Sequence, residues 1–180
     1  ALYKIFVEGE CIVTSARTAE MCKLTENSFR DVNIAFANEL SIICDKLQIN
    51  VWELIKLANR HPRVNILQPG PGVGGHCIPV DPLYLTWWAR QNGSVAEFIE
   101  TADSINYKMP KYVAQRALGL LDSIIDSPRI LILGVAYKPG VGDIRETPVS
   151  MLRNHLIEQG ANVAWHDPLV PFWEGSLPVD

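Results

Sequence analysis

The stretch PGPGVGGHCIPVDP, Pro69 to Pro82, sets a cysteine directly behind a run of glycines. Gly70, Gly72, Gly74 and Gly75 let a backbone bend closely around a ligand and turn N–H groups towards it. Cys77, two residues past that run, is then well placed to be a nucleophile, with its thiolate favoured by such N–H groups or by a nearby lysine. The other reading of a lone cysteine is a small buried hydrophobe. His76 adds nothing to the first reading if the segment is extended, because neighbouring side chains then point opposite ways. Gly70, Gly72 and Gly75 also fit G-x-G-x-x-G, the spacing of a dinucleotide-binding turn. That turn needs a strand before it and a helix opening on its last glycine. Val64 to Leu67 passes for a short strand, but Pro79 and Pro82 would break the helix, and no second apolar strand follows at the right distance. The match is coincidental.

The elements that must position this loop are mostly helical. Between Thr18 and Leu47 there is neither proline nor glycine, Phe36, Leu40, Ile43 and Leu47 recur at helical spacing, and Thr18 is a candidate N-cap. A helix of that length spans about 45 Å, enough to cross a subunit or an interface. A shorter helix, Val51 to Ala58, stops before Asn59 and the His61-Pro62 pair. Beyond the glycines, helical patterns run from Pro82 to Arg90, Ser94 to Asn106 and Pro110 to Leu121, with Pro110 in a tolerated first turn. Ser127-Pro128 interrupts them, and RILILG, Arg129 to Gly134, reads as a buried strand. After the loop VAYKPGVGDIRE comes a helix from Pro148 to Glu158, ended by Gly160, and a second strand in ANVAWHDP. Strand, crossover helix and strand make a parallel βαβ unit. The predicted fold is therefore α then α/β: an all-helical domain over 1–126 and the opening of an α/β domain over 127–180.

Composition narrows the function classes. The chain has 180 residues, 48% of them hydrophobic and 20% charged, which suits a soluble globular core. A net charge of -4, with no run of Arg and Lys, gives no field for nucleic acid. The apolar runs are far shorter than the roughly 20 residues of a membrane helix, and the N-terminus has no secretory signal. Cys11, Cys22, Cys44 and Cys77 form no C-x-x-C pair, which favours reduced thiols in a cytoplasm and offers no metal-ligand spacing.

Three stretches carry a family resemblance: TAEMCKLTENSFRDVNIAFANEL (Thr18 to Leu40), HPRVNILQPGPGVGGHCIPVDP (His61 to Pro82) and GVAYKPGVGDIRETP (Gly134 to Pro148). In order and spacing they resemble the UDP-glucose/GDP-mannose dehydrogenase family, over essentially the whole chain. The resemblance implies oxidation of a sugar C6 alcohol to a carboxylate with two NAD+ in succession, through a cysteine thiohemiacetal and thioester, in a pathway of polysaccharide biosynthesis. HPR and GGHC are similar to the family's enzymes for UDP-N-acetylhexosamines. The text to Pro82 resembles those for the mannosamine epimer, and the text from Asp81 onward at least as much those for the glucosamine epimer, so the epimer stays open.

By motif position Cys77 is the implied nucleophile, and Lys23 and Asn27 match the family's catalytic lysine and asparagine. Spaced i and i+4 on a helix, they share one face and are suitable donors to an oxyanion. Arg30 continues their stripe. Without the resemblance, a solvated polar face explains them as well. Asp81 would place or deprotonate the water that hydrolyses the thioester, or hold Lys23, against the simpler role of a turn aspartate before Pro82. The resemblance further implies that His61 and Arg63 grip the substrate, that Gly72, Gly74 and Gly75 lie against it, that Lys138 meets the UDP phosphates and that Arg145 meets NAD from a neighbouring domain. A surface role is the alternative for His61, Arg63, Lys138 and Arg145. The family's long helix implies a homodimer or higher homo-oligomer.

A full-length member carries a Rossmann NAD domain before this text and more strands after it. The expectation is a fragment, inactive alone, with the central helical domain, the cysteine loop and part of the nucleotide-sugar domain. The competing class is a non-catalytic nucleotide-sugar sensor or oligomerisation module.

Overall fold

Ser15, not Thr18, starts the long helix. The computed structural model describes residues 2–121 and 127–179, and in it α1 covers Ala16–Lys46. The Ser15 Oγ accepts from the Thr18 N–H at 3.1 Å, so Thr18 is the third residue inside the helix, where a cap finds its partner. The face of α1 that turns inward is largely polar: Asn27, Ser28, Asp31 and Asn38 are buried there with Ala35, Ala37 and Cys44. Phe36, Ile43 and Leu47, part of the apolar recurrence in the sequence, are exposed. The helix thus hides carboxyl, amide and hydroxyl groups and shows apolar ones.

The α2 helix, Val51–Ala58, is capped by the Asn50 side chain, which accepts from the Trp52 and Glu53 N–H groups. The segment that follows forms no strand, and Val64 to Leu67 has no ladder partner. Asparagine side chains do that work instead. Asn33 donates to the Asn65 carbonyl and accepts from the Leu67 N–H, while Asn59 donates to the Ile66 carbonyl and accepts from its N–H. Asn38 Oδ1 accepts from the Gly70 N–H at 2.8 Å. The chain entering the glycine run is therefore pinned along α1 by side chains rather than by a sheet.

After the cysteine loop, α3 covers Asp81–Gln91 and α4 covers Glu97–Gly119. The two helical patterns on either side of Pro110 are one continuous helix, with Pro110 buried inside it. The expected first-turn proline is wrong for a physical reason. Proline in a helix removes one hydrogen bond, here the one to the Asn106 carbonyl, and crowds that carbonyl. Gly72 has no side chain to crowd it further: a Cβ there would lie 3.5 Å from both the Asn106 oxygen and the Pro110 Cδ. The Asn106 side chain is anchored too, accepting from Asn38 and donating to Asp31. Packing on α1 and the glycine run keeps the helix unbroken.

Residues 129–166 form the expected βαβ unit. β1 is Arg129–Leu133, α5 is Pro148–Glu158 and β2 is Asn162–His166. The strands are parallel, with Arg129 opposite Asn162 and Leu133 opposite His166. Thr147 caps α5, accepting from the Val149 N–H and donating to the Val135 carbonyl. Asp167 ties the ends of the strands together by accepting from the Val135, Ala136 and Leu169 N–H groups. Burial pushes its carboxyl up, yet these donors outweigh burial and hold it below the ordinary carboxylate value. One apolar core gathers Val135, Val149, Trp165, Val170 and Trp173. A second joins Ala114 of α4 to Leu156 and Ala161, so the helices and the βαβ unit share buried surface. The boundary expected at 126/127 falls against residues 122–126, outside the described residues.

Candidate active site

The cysteine loop leaves α1 at Gly70 and returns to it at Asp81. Residues 75–77 form a bend and 78–80 a turn. The Cys77 carbonyl accepts from the Asp81 N–H at 2.8 Å and from the Val80 N–H at 3.2 Å, so α3 starts one turn beyond the cysteine. Cys77 is exposed, not a buried hydrophobe. Because the segment bends, consecutive side chains converge, and the expectation for an extended chain is overturned: Cys77 Sγ lies 3.4 Å from His76 Nδ1.

Asn27 is the hub behind this loop. It is completely buried. Its Nδ2 donates to Asp81 Oδ2, and its Oδ1 accepts from Arg30 Nη2 and, at 3.5 Å, from Lys23 Nζ. Asp81 therefore holds Asn27, and not Lys23 as one sequence reading had it. Lys23 instead lies 3.6 Å from Glu26 and projects into solvent. Two cationic groups and one carboxylate thus converge on a single buried amide, and that carboxylate begins the helix to which the cysteine turn is bonded. The spacing of Lys23, Asn27 and Arg30 on one face was legible in sequence; that one amide links all three to Asp81 was not.

The glycines serve a different contact from the one expected. A Cβ on Gly74 would lie 2.7 Å from the Tyr137 Cβ, 2.8 Å from the Glu146 oxygen and 2.9 Å from the Pro148 Cδ. One on Gly72, whose φ is +132°, would lie 2.8 Å from the Pro148 Cβ, and one on Gly75, at φ +84°, 2.9 Å from the Tyr137 ring. The Gly75 N–H donates to the Arg145 carbonyl at 3.0 Å and the Gly70 N–H is taken by Asn38. The close approach is to the chain's own β1–α5 loop, and these two N–H groups do not point to a free ligand site.

That loop carries Lys138 and Arg145. Lys138 is exposed, with its Nζ 5.6 Å from the Tyr137 ring centroid, next to the glycine run. Arg145 grips Asp143 through Nε at 2.9 Å and through Nη2, and its backbone N–H also donates to Asp143. The Arg145 side chain and N–H hold the Asp143 carboxyl down at about 2. His61 and Arg63 are exposed on the turn after α2, where the Arg63 N–H donates to His61 Nδ1. Among the described residues, no hydrogen bond joins their side chains to the Asn27 hub.

Sequence reasoning missed a second polar group beneath the site. Asp31 Oδ1 accepts from Asn106 at 2.7 Å, while its Oδ2 is buried without a partner. Burial pushes the Asp31 carboxyl up to about 6, against the Asn106 hydrogen bond, with the Asp103 charge adding to the rise. Asp31, Asp103 and Asn106 line a cavity of about 590 Å³ together with the loop residues Val73 and Pro79. The signal was present in the sequence: Asn27, Asp31 and Asn38, at i, i+4 and i+11, lie on one face of a helix that has no other reason to keep polar groups together.

A long helix carries a lysine–asparagine pair, a cysteine loop is clamped on it, and a βαβ unit packs behind. The chain belongs to the UDP-glucose/GDP-mannose dehydrogenase family: the family's central domain matches residues 17–108 and its UDP binding domain residues 131–177. It is 64% identical to the UDP-N-acetyl-D-mannosamine dehydrogenase of Campylobacter jejuni over 161 residues, 89% of this chain and 39% of that protein. It is 51% identical to an NDP-N-acetyl-D-galactosaminuronic acid dehydrogenase of Ralstonia solanacearum, over 98% of this chain and 41% of that protein. The solved UDP-D-ManNAc dehydrogenase of Pyrococcus horikoshii superposes with a TM-score of 0.86 at 42% identity, over 94% of this chain and 40% of that one. The chain spans about two fifths of the length of the relatives it matches.

Proposed function

We propose that this chain is the central part of a nucleotide-sugar 6-dehydrogenase that oxidises UDP-N-acetyl-D-mannosamine to the uronate with NAD+ as hydride acceptor, and that Cys77 is its nucleophile. The observation that carries this reading is the linkage of an exposed Cys77 through one helical turn to Asp81, and from Asp81 through buried Asn27 to Lys23 and Arg30. High identity to UDP-N-acetyl-D-mannosamine dehydrogenases supports the epimer.

The chain's own residues divide the work as follows. Cys77 adds to the C6 aldehyde and keeps it bound, which prevents its escape. Lys23, 3.5 Å from Asn27 Oδ1, supplies a cation to the oxyanion formed there, and Asn27 fixes where that ammonium and Asp81 sit. Asp81 orients the water that cleaves the thioester. Lys138 and Arg63 supply positive charge for the pyrophosphate and His61 a hydrogen-bonding group for the substrate, and the match of residues 131–177 to a UDP binding domain supports that side of the site. Gly72, Gly74 and Gly75 shape the loop by packing on residues 137–148. The described residues do not build a dinucleotide cradle: the glycine run enters a turn packed on Tyr137 and Pro148, and Arg145 is engaged with Asp143.

The same reading divides the chain at 126/127 into a helical dimerisation domain and a nucleotide-sugar domain. Phe29, Phe36 and Ile43 stand exposed at i, i+7 and i+14 on α1, an apolar seam suited to a second copy of the helix. Four free cysteines support a reducing, cytoplasmic setting, and among the described residues no helix is long and apolar enough to cross a membrane. The test is Cys77→Ala in a full-length protein containing this chain, assayed for uronate formation from UDP-N-acetyl-D-mannosamine. Loss of at least a thousandfold is expected; turnover within tenfold of wild type overturns the reading.

A further inference from the structure

We propose that His76 is a second catalytic residue of the thiol step, accepting the Cys77 proton as the sulfur adds to the aldehyde. The inference rests on the reading of Cys77 as the nucleophile and goes beyond it by assigning the base. Geometry carries it: the bend at 75–77 brings Nδ1 to 3.4 Å from Sγ, and both residues are exposed. An Nδ1 acceptor requires the tautomer with the proton on Nε2, which is free to face water.

The groups around the pair favour this use. The Gly75 N–H bonds to the Arg145 carbonyl, which sets the Asp143–Arg145 ion pair beside the histidine and cysteine. Asp143 feels the His76 charge and Arg145 feels the Cys77 charge. The Tyr137 ring packs on Gly75, directly before the pair, and leaves no room for a side chain there.

The step balances without an oxidant. The sulfur lone pair forms the S–C bond, the carbonyl π pair moves onto oxygen, and the thiol proton passes to Nδ1. The imidazolium then returns that proton to the alkoxide, leaving a neutral thiohemiacetal and a neutral imidazole.

Alkylation of the 180-residue chain by iodoacetamide, resolved cysteine by cysteine by mass spectrometry, tests the base separately from turnover. Exposed Cys22 is the internal reference, and buried Cys44 reports whether the fold is intact. With His76 acting, Cys77 reacts several-fold faster than Cys22 at pH 7. His76→Gln slows Cys77 about tenfold at pH 7, with Cys22 unchanged. A Cys77 profile in the variant within twofold of wild type at every pH overturns the proposal. Should Cys44 become reactive in the variant, the wild-type chain decides alone, and equal rates at Cys77 and Cys22 overturn the proposal. Failure of the parent reading looks different: a full-length Cys77→Ala protein that still makes uronate, whatever the alkylation rates.

Discussion

Asn27 shows how much one buried amide can organise. Its two polar atoms serve three charged partners, so its loss strands a carboxylate and frees two cations. Asn27→Ala is expected to cost about 1–3 kcal/mol in urea denaturation, the range for leaving a partner unsatisfied. Asn27→Asp should cost more, because it sets a second carboxylate against Asp81; a variant as stable as wild type would contradict this. Asp31 gives a pH prediction. Its carboxyl rises from 3.8 to about 6 on folding, so the folded state holds the proton more tightly. The stabilisation is complete below about pH 4 and is lost as pH rises through about 6, by up to about 3 kcal/mol at 1.36 kcal/mol per pH unit. Asp31→Asn removes that loss, so the variant should gain on wild type between pH 4 and pH 7 when Tm is followed, and parallel curves would refute it. At this scale the sequence was legible in spacing, as for Lys23, Asn27 and Arg30 on one face of α1. It was silent where a contact depends on a bend, as for His76 against Cys77, or on a long-range partner, as for Asp31 and Asn106.

Among the elements, the glycine run and the β1–α5 loop act as one surface. Gly74→Ala places a methyl against three atoms within 2.9 Å, two of them on rigid backbone or ring positions. Overpacking of that kind costs about 1–3 kcal/mol. Gly93 is the control, since it has φ +74° but open space around its absent Cβ. Gly93→Ala should cost only its backbone strain, about 1 kcal/mol. Equal destabilisation of the two variants in chemical denaturation would remove the packing argument. The strands, α2 and α5 were readable because periodicity and end signals agreed, as at Pro148, Gly160 and Asn59. The single helix across Pro110 was not, because its continuity depends on Gly72, far away in sequence. The start of α1 was misread by three residues because Ser15 and Thr18 are equally good caps until the first turn is seen.

For the molecule as a whole, the inversion of α1 matters most. A helix that buries amides and exposes Phe29, Phe36 and Ile43 makes sense if its outer face is covered by a second copy. Phe36→Glu should convert a dimer to a monomer in light scattering while leaving the circular dichroism of the fold intact. A wild-type chain that is monomeric at high micromolar concentration would sink the dimer. The family was legible from three motifs, and the helices and βαβ unit followed. The shared core between them, Ala114 against Leu156 and Ala161, was not, since it is made by residues with no signature of their own.

The Gly75–Arg145 and Asn27–Asp81 hydrogen bonds fasten the two ends of the cysteine loop to different bodies, the βαβ unit and α1. Cys77 is therefore a fixed post rather than a moving arm. The Gly75 amide should accordingly surrender its hydrogen to solvent only on the slow timescale at which helices and sheet part company.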